Sequence, residues 1–167
     1  MHRNNILWLD DLKRSYPGVF SGSTVLELGS RDINGTIRGH FEGGTYVGVD
    51  NVDGPGVDVV GNAQETDFSK ESFDAIVSFS MFEHDPLWKE TITHNTPFLR
   101  SGGMAFLSFG AEGNIEHGDC DFWGPVPSAE MLELLPKAGL EVIDSFFEEE
   151  RYGKNCAGAF NIVARKL

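Results

Sequence analysis

An acidic side chain closes one of the short apolar runs of the sequence. Residues 46–49, Tyr-Val-Gly-Val, lead directly into Asp50. A carboxylate at the carboxyl end of a strand can accept two hydrogen bonds from the hydroxyls of a ribose. A second run, residues 24–28, leads directly into Gly29, where the missing side chain lets the backbone approach a ligand closely. We therefore expect a nucleoside to bind at this pair of strand ends.

The loop after residues 24–28 lacks the usual phosphate-binding motifs. Gly29 is followed by no further glycine until Gly35, so the Gly-x-Gly-x-x-Gly fingerprint of dinucleotide sites is missing, and no P-loop lysine follows. Two carboxylates, Glu27 and Asp32, would repel a pyrophosphate. A nucleoside with a neutral or positively charged tail fits this loop better, which disfavours a nicotinamide-dependent oxidoreductase.

Two histidines are candidate catalytic bases. His84 follows the fourth predicted strand, and the pKa range of imidazole suits proton transfer near neutral pH. His117 belongs to residues 110–127, a segment rich in glycine, acidic and aromatic residues. This segment fits a substrate lid or an ordinary packed loop. It fits a metal cluster at His117, Asp119 and Cys120 least well, and we predict no metal site.

The hydrophobic pattern places these residues in alternating strands and helices. Short apolar runs predict strands, and apolar residues at helical spacing predict helices. The predicted strands are 24–28, 46–49, 57–60, 73–77, 104–109, 142–147 and 159–164, and the predicted helices are 6–12, 33–41, 88–99 and 128–139.

This alternation predicts an α/β fold with a doubly wound, mostly parallel seven-stranded sheet of Rossmann-like type. The segment between the last two strands is too short for a crossover helix, so these strands should form an antiparallel C-terminal hairpin. Within that segment, the acidic residues 148–150 are expected to be a solvated strand end.

Composition narrows the class of partner. The chain has 167 residues, which suits one domain spanning 1–167, and carries 13 Lys and Arg against 26 Asp and Glu, a formal net charge of -13. This charge argues against nucleic acid and anionic membrane surfaces as partners. The sequence shows neither a signal peptide nor a membrane span, and the spacing of Cys120 and Cys156 favours reduced thiols. We expect a cytoplasmic protein.

Six segments in a consistent order resemble class I S-adenosylmethionine-dependent methyltransferases. The segment at residues 81–84, Met-Phe-Glu-His, is similar to the x-L-E-H segment of small methyltransferase domains, and residues 98–104 are similar to their L-K-P-G-G turn. The other matching features are Glu27-x-Gly29 after a strand, Asp50 ending the next, Asn62-Ala63 after the third, and Phe73-Asp74 opening the fourth.

The resemblance implies S-adenosylmethionine as cofactor and a role for each matching residue. It implies that Glu27 and Gly29 line the methionine part, Asp50 binds the ribose, Asn51 and Val52 flank the adenine, Asn62 and Ala63 cap its amino edge, and Ser78 lies near the sulfonium beside Phe79. Ser30, Arg31 and Gly35 complete the loop after the first strand, and Arg31 stands where the family has its middle glycine.

The predicted function is methyl transfer from S-adenosylmethionine to a small-molecule acceptor. The resemblance suggests a carbohydrate or a lipid precursor as that acceptor, and the catalytic candidates are His84 and His117. The alternative is a non-catalytic binding module that retains the methyltransferase fold. The sequence is compatible with a homodimer and does not determine the oligomeric state.

Overall fold

The computed structural model describes residues 3–116, 122–154 and 158–167. Its strands are β1 (Thr24–Leu28), β2 (Thr45–Asp50), β3 (Val59–Val60), β4 (Phe73–Phe79), β5 (Leu99–Gly110), β6 (Leu140–Phe147) and β7 (Ala159–Lys166). Its α-helices are α1 (Arg3–Ser15), α2 (Trp88–Asn95), α3 (Ser128–Lys137) and α4 (Glu148–Tyr152).

The strands form one seven-stranded sheet in the order β3-β2-β1-β4-β5-β7-β6. β1 pairs in parallel with β2 and β4, and β4 pairs in parallel with β5. β7 runs antiparallel to both β5 and β6. The predicted doubly wound, mostly parallel sheet with an antiparallel C-terminal hairpin is confirmed. Because β7 is antiparallel to both of its neighbours, β6 runs in the same direction as β5. The carboxyl end of β6 therefore lies at the same edge of the sheet as those of β1–β5.

Helices cover both faces of the sheet. On the α1 face, Trp8, Leu9 and Leu12 pack in one buried cluster with strand residues such as Val25 and Val163. On the opposite face, which we call the α2–α3 face, the buried cluster joins residues of both helices to alternate strand residues, among them Ile92, Met131, Leu135, Leu26, Ile76, Leu107 and Ile162. Full burial of each such side chain contributes about 1.5–3 kcal/mol.

The helix predicted over residues 33–41 is wrong. The structure has only a 3₁₀ turn, Arg38–His40, in this segment. Ile33, which the helical spacing assigned to the buried face, is 68% exposed, whereas Ile37 is 2% exposed. Here a side chain occupies a backbone donor instead, because Asp32 accepts a hydrogen bond from the Gly35 amide at 2.8 Å. Such local hydrogen bonds compete with the helical ladder.

The acidic residues 148–150 are not a solvated strand end. They begin α4, and Glu148 is completely buried while Glu149 and Glu150 are exposed. Consecutive side chains of a helix point in different directions around its axis, so one of three neighbouring carboxylates can face the interior while the others face solvent.

Several element boundaries differ from the prediction. β3 is only Val59–Val60. The helix predicted to reach residue 99 ends at Asn95, followed by a 3₁₀ turn, Thr96–Phe98, and Pro97 accounts for the early end because it has no N–H to donate. Residues 101–103 consequently belong to β5 rather than to a helix terminus.

Within the described residues, no helix has the length and apolar character needed to cross a bilayer. Both cysteines, Cys120 and Cys156, lie outside the described residues, so their reduced state stays a prediction.

Candidate active site

The strand order changes direction between β1 and β4. β1 has β2 on one side and β4 on the other, so the chain proceeds outward from this point in both directions. In open α/β sheets, ligands bind outside the carboxyl ends of the strands at such a switch point. The loops that follow β1, β2 and β4 are therefore the candidate site.

Gly29 fixes the turn at the end of β1. Its φ of 78° lies in the left-handed region that glycine adopts without strain. The amides of Gly29 and Ser30 both donate to the carbonyl of Val49, at 2.9 and 3.0 Å, which ties the turn to β2. An added Cβ at Gly29 would lie 2.5 Å from the Cβ and Cγ atoms of Met81. The loops after β1 and β4 consequently touch at this glycine.

The carboxylate of Asp50 is held in place by two backbone donors. Its Oδ2 accepts from the Arg31 amide at 3.1 Å, and its Oδ1 accepts from the Val52 amide at 3.0 Å. Each carboxylate oxygen can accept more than one hydrogen bond, so the half-buried Asp50 retains accepting capacity. Asp50 is thus held in a fixed orientation at the carboxyl end of β2.

Glu27 is a buried carboxyl in the same region. It is 5% exposed, and Tyr46 Oη donates to its Oε2 at 2.9 Å. Burial raises the pKa of Glu27 to about 7, against the lowering effects of the Tyr46 hydrogen bond and the Arg38 charge. The negative charges of Asp50 and Asp32 raise this pKa further. A ligand that brings positive charge would stabilise the ionised form of Glu27.

Arg38 supports the Glu27–Tyr46 pair from the side. Its guanidinium lies over the Tyr46 ring, 4.8 Å from the centroid, and donates to the Tyr46 carbonyl at 3.3 Å. It also forms an ion pair with Asp58. Burial, followed by the Glu27 charge, raises the pKa of Tyr46, so this phenol acts as a donor to Glu27.

Two serine hydroxyls near the switch point are buried without hydrogen-bond partners. Ser30 is 3% exposed and Ser78 is fully buried, and neither Oγ has a partner. Phe79, the next residue of β4, packs its ring on Trp8 of the α1 face, with the ring centroids 5.1 Å apart. Consecutive side chains of a strand point to opposite faces of the sheet. Ser78 therefore points to the α2–α3 face, opposite to Glu27.

The remaining predicted cofactor residues lie around this core of the site. The Gly61 amide donates to the Asp50 carbonyl at 2.9 Å and brings the end of β3 next to β2. There, the Asn62 side chain donates to Glu65 at 3.0 Å, and the Ala63 carbonyl accepts from Asn95 at 2.8 Å.

Four other predicted residues lie at the outer rim of the site. Asn51, Val52 and Gly35 are exposed, and Arg31 is half-buried with its Cγ 3.0 Å from the position of a Cβ on Gly54. The Arg31 side chain therefore lies on the loop between β2 and β3.

The structure joins His84 to the loop after β5. His84 is half-buried, and its Nδ1 lies 3.3 Å from the Phe122 carbonyl oxygen. The Gly124 amide donates to the Glu83 carbonyl at 2.8 Å. His117, Asp119 and Cys120 lie outside the described residues. Among the side chains that the structure does describe, no group of three His, Cys, Asp or Glu is placed to hold a metal ion.

Sequence reasoning gave no individual role to three residues that shape this site, namely Tyr46, Met81 and Ser80. Tyr46 reaches Glu27 diagonally across the β1–β2 pair, and its position two residues before Gly48, the strand partner of Glu27, is the signal that could have found it. Ser80 adopts a φ of 57°, which is unusual for a side-chain-bearing residue, while its amide donates to the Ser108 carbonyl at 2.8 Å. Nothing in the sequence marks that conformation.

Comparisons with known proteins agree with this geometry. Residues 41–107 match the family model described as a methyltransferase domain. No curated protein matches the chain.

Solved structures share the fold at low sequence identity. The Burkholderia thailandensis 1,6-didemethyltoxoflavin-N1-methyltransferase, solved with 1,6-didemethyltoxoflavin and S-adenosylhomocysteine, is similar with a TM-score of 0.68 at 18% identity, over 95% of this chain and 76% of that one. An S-adenosylmethionine-dependent methyltransferase from Mesorhizobium loti is similar with a TM-score of 0.66 at 13% identity, over 95% and 100% of the two chains.

The cyclase SpnF is similar with a TM-score of 0.71 at 14% identity, over 96% of this chain and 80% of that one. At identities this low, each likeness establishes the fold alone. Together with the family model over residues 41–107, the fold confirms the resemblance seen in the sequence. Over residues 41–107 the chain is similar to the methyltransferase-domain family, and its sheet has the fold of S-adenosylmethionine-dependent methyltransferases.

Proposed function

We propose that the protein binds S-adenosylmethionine at the carboxyl ends of β1 and β2 and transfers its methyl group to a small-molecule acceptor. The observation that carries this proposal is the convergence of Glu27, Asp50 and the Gly29 turn at the strand-order switch. The methyltransferase family model and the S-adenosylhomocysteine bound in one structural neighbour support it.

The side chains at the switch point suit this cofactor. Asp50 is oriented to accept hydrogen bonds from the ribose hydroxyls, and Glu27 supplies negative charge for a sulfonium or an ammonium group. The buried hydroxyl of Ser30 lies directly beside the Gly29 turn and lacks a partner. We assign the adenine to the rim formed by Asn51, Val52 and the segment at residues 62–63, as the resemblance implies.

Methyl transfer depends mainly on how the protein positions the acceptor relative to the cofactor. S-adenosylmethionine supplies, when bound, a methyl carbon that a nucleophile can attack in line with the sulfur. The chain holds the two reactants together and excludes water, and both effects lower the barrier. A hydroxyl acceptor also needs a base, for which His84 is the described candidate and His117 the other. A hydrogen bond from His84 Nδ1 to the Phe122 carbonyl would make Nε2 the nitrogen that accepts the proton.

Titration calorimetry with S-adenosylmethionine and S-adenosylhomocysteine tests the proposal. We expect both to bind the wild-type protein, and we expect Asp50→Asn to bind both at least about tenfold more weakly, since hydrogen bonds to a charged group are worth about 1.5–3 kcal/mol. Asp53→Asn is the matched control, because it removes the same charge from an exposed position three residues away. Failure of both compounds to bind the folded wild-type protein would overturn the proposal.

One observation favours the alternative, a non-catalytic binding module. Arg31 replaces the family's middle glycine, and the described chain carries only a 3₁₀ turn, Arg38–His40, between β1 and β2. The two functions differ in turnover. Release of S-adenosylhomocysteine from bound S-adenosylmethionine in the presence of small-molecule acceptors supports catalysis, whereas binding without turnover across a broad acceptor panel supports the module.

A further inference from the structure

We propose that a buried polar cluster of Glu148, Asn161 and Asn4 is an acceptor subsite that binds the ammonium group of an amine. The proposal rests on the proposed function and narrows its acceptor to small molecules that carry an amine. We call these three residues the amide–carboxyl cluster.

The amide–carboxyl cluster joins three distant parts of the chain. Glu148 opens α4 directly after β6, Asn161 lies on β7, and Asn4 lies in α1. Glu148 and Asn161 are fully buried, and Asn4 is 1% exposed. Asn161 Nδ2 donates to Glu148 Oε1 at 3.3 Å, and Asn4 lies close enough to the Glu148 carboxyl to lower its pKa. Asn4 Nδ2 further donates to the Gly153 carbonyl at 3.1 Å.

The amide–carboxyl cluster has more acceptors than donors. Glu148 Oε2, Asn161 Oδ1 and Asn4 Oδ1 are all buried without a hydrogen-bond partner. Leaving a buried acceptor unpaired costs about 1–3 kcal/mol, so three together are expensive. Rotating either amide by 180° would turn an oxygen toward the acceptor that its Nδ2 now serves, which is Glu148 for Asn161 and the Gly153 carbonyl for Asn4. The arrangement lacks donors, and a ligand can supply them.

A primary ammonium group matches this deficit in number and in charge. It carries three N–H donors and no acceptor. Burial raises the pKa of Glu148 to about 6, against the lowering effect of the neighbouring Asn161 and Asn4 amides, so the carboxyl is mainly ionised at neutral pH. No cation among the described residues figures in that pKa. An ammonium ligand would pair with this charge and satisfy the unpaired oxygens together.

The amide–carboxyl cluster lies at the edge of the sheet where the proposed cofactor site lies. Asn161 pairs in register with Ser108 of β5, which in turn pairs with Phe79 at the end of β4. Neighbouring strands are about 4.8 Å apart, so the Asn161 backbone is about 10 Å from the end of β4. Buried Trp8 of α1 packs on Phe79 and Phe146, the two ends of this row of residues across the sheet. An acceptor anchored at the cluster by its amine therefore reaches the methyl group only when this part of α1 has moved.

α1 covers the cluster, so an amine can enter only if the start of α1 moves. The described contacts that hold this region of α1 against α4 include the Asn4–Gly153 hydrogen bond and the Tyr152–Asp11 hydrogen bond of 2.5 Å. Burial of Trp8 and Leu9 holds α1 as well, so ligand entry requires a partial opening of α1 and not only the breaking of these hydrogen bonds.

The test uses ethylamine hydrochloride as the probe and ethanol as its neutral counterpart. The full chain is titrated near neutral pH, and the side-chain amide signals of Asn161 and Asn4 are followed by ¹H–¹⁵N NMR. We expect ethylammonium to shift both signals saturably and ethanol to shift neither. Glu148→Gln should weaken the response of Asn161 at least about tenfold, the factor that corresponds to about 1.4 kcal/mol.

Glu149→Gln is the matched control, because it removes an exposed carboxylate from the adjacent position. This variant should respond as the wild-type protein does. If Glu148→Gln does not fold, Asn4→Ala provides the second variant, and it should weaken the Asn161 response severalfold by removing one acceptor. An equal response to ethanol or to potassium chloride, no saturable response, or an unchanged response in a folded cluster variant would each overturn the subsite.

Calorimetry with S-adenosylhomocysteine on the same samples separates this inference from the proposed function. Cofactor binding without an ethylammonium response overturns the subsite alone. An ethylammonium response that depends on Glu148, in a protein that binds no cofactor, overturns the proposed function and leaves the ammonium site standing.

Discussion

The buried carboxyl of Glu27 makes the stability of the protein depend on pH in a way that Glu27→Gln should remove. Burial raises the pKa of Glu27 from 4.5 to about 7, so between these values the folded chain keeps a proton that the unfolded chain has released. The free energy of unfolding therefore falls as the pH rises through this interval. Each pH unit is worth about 1.4 kcal/mol, which makes the cost of ionised Glu27 about 3 kcal/mol.

Urea unfolding at about pH 5 and about pH 8 measures this cost. We expect Glu27→Gln to match the wild-type stability at the lower pH and to exceed it by up to about 3 kcal/mol at the higher pH. Glu148 also has a raised pKa, but it is present in both proteins, so the difference between them isolates Glu27. Glu133→Gln, at an exposed position of α3, should change little at either pH. The same stability difference at both pH values would refute the burial argument.

Two further substitutions probe the same site. Gly29→Ala places a Cβ 2.5 Å from Met81 in a left-handed turn, and we expect a loss of at least about 1–2 kcal/mol in unfolding free energy together with weaker cofactor binding in calorimetry. Tyr46→Phe removes the donor to Glu27, and urea titration should show a loss of about 1.5–3 kcal/mol at high pH, where Glu27 is charged, and a smaller loss at low pH.

The sheet could be predicted from the sequence because most of its strands are mainly apolar runs, several of which lead directly into a glycine or an acidic residue. The helix predicted at residues 33–41 failed for a local reason. Apolar spacing alone suggested it, yet Asp32 and Thr36 accept hydrogen bonds from nearby amides and hold the backbone in a turn. Spacing of apolar residues does not report this competition from short polar side chains.

Part of the candidate site could likewise be predicted from the sequence, and part could not. Glu27, Gly29 and Asp50 were predictable because parallel strands bring their carboxyl ends to one edge, whatever the details of the loops. Tyr46 depends on the β1–β2 register, and the burial of Glu148 depends on Asn4 and Asn161, which are far from it in the sequence. A run of consecutive acidic residues does not show which of its carboxylates will be buried beside polar side chains from distant parts of the chain.

Glu27 and Glu148 are two buried carboxyls on the α1 face at the same edge of the sheet. The pKa values of about 7 and about 6 mean that both are mainly protonated below pH 6 and mainly ionised above pH 7. Ionisation lowers the stability of the ligand-free chain, because neither charge has a full partner in the described structure. A positively charged cofactor and a positively charged acceptor would each supply the missing partner. If these proposed ligands bind, they would restore the stability that ionisation of the two carboxyls removes, and this gain would favour cationic ligands over neutral ones of the same shape.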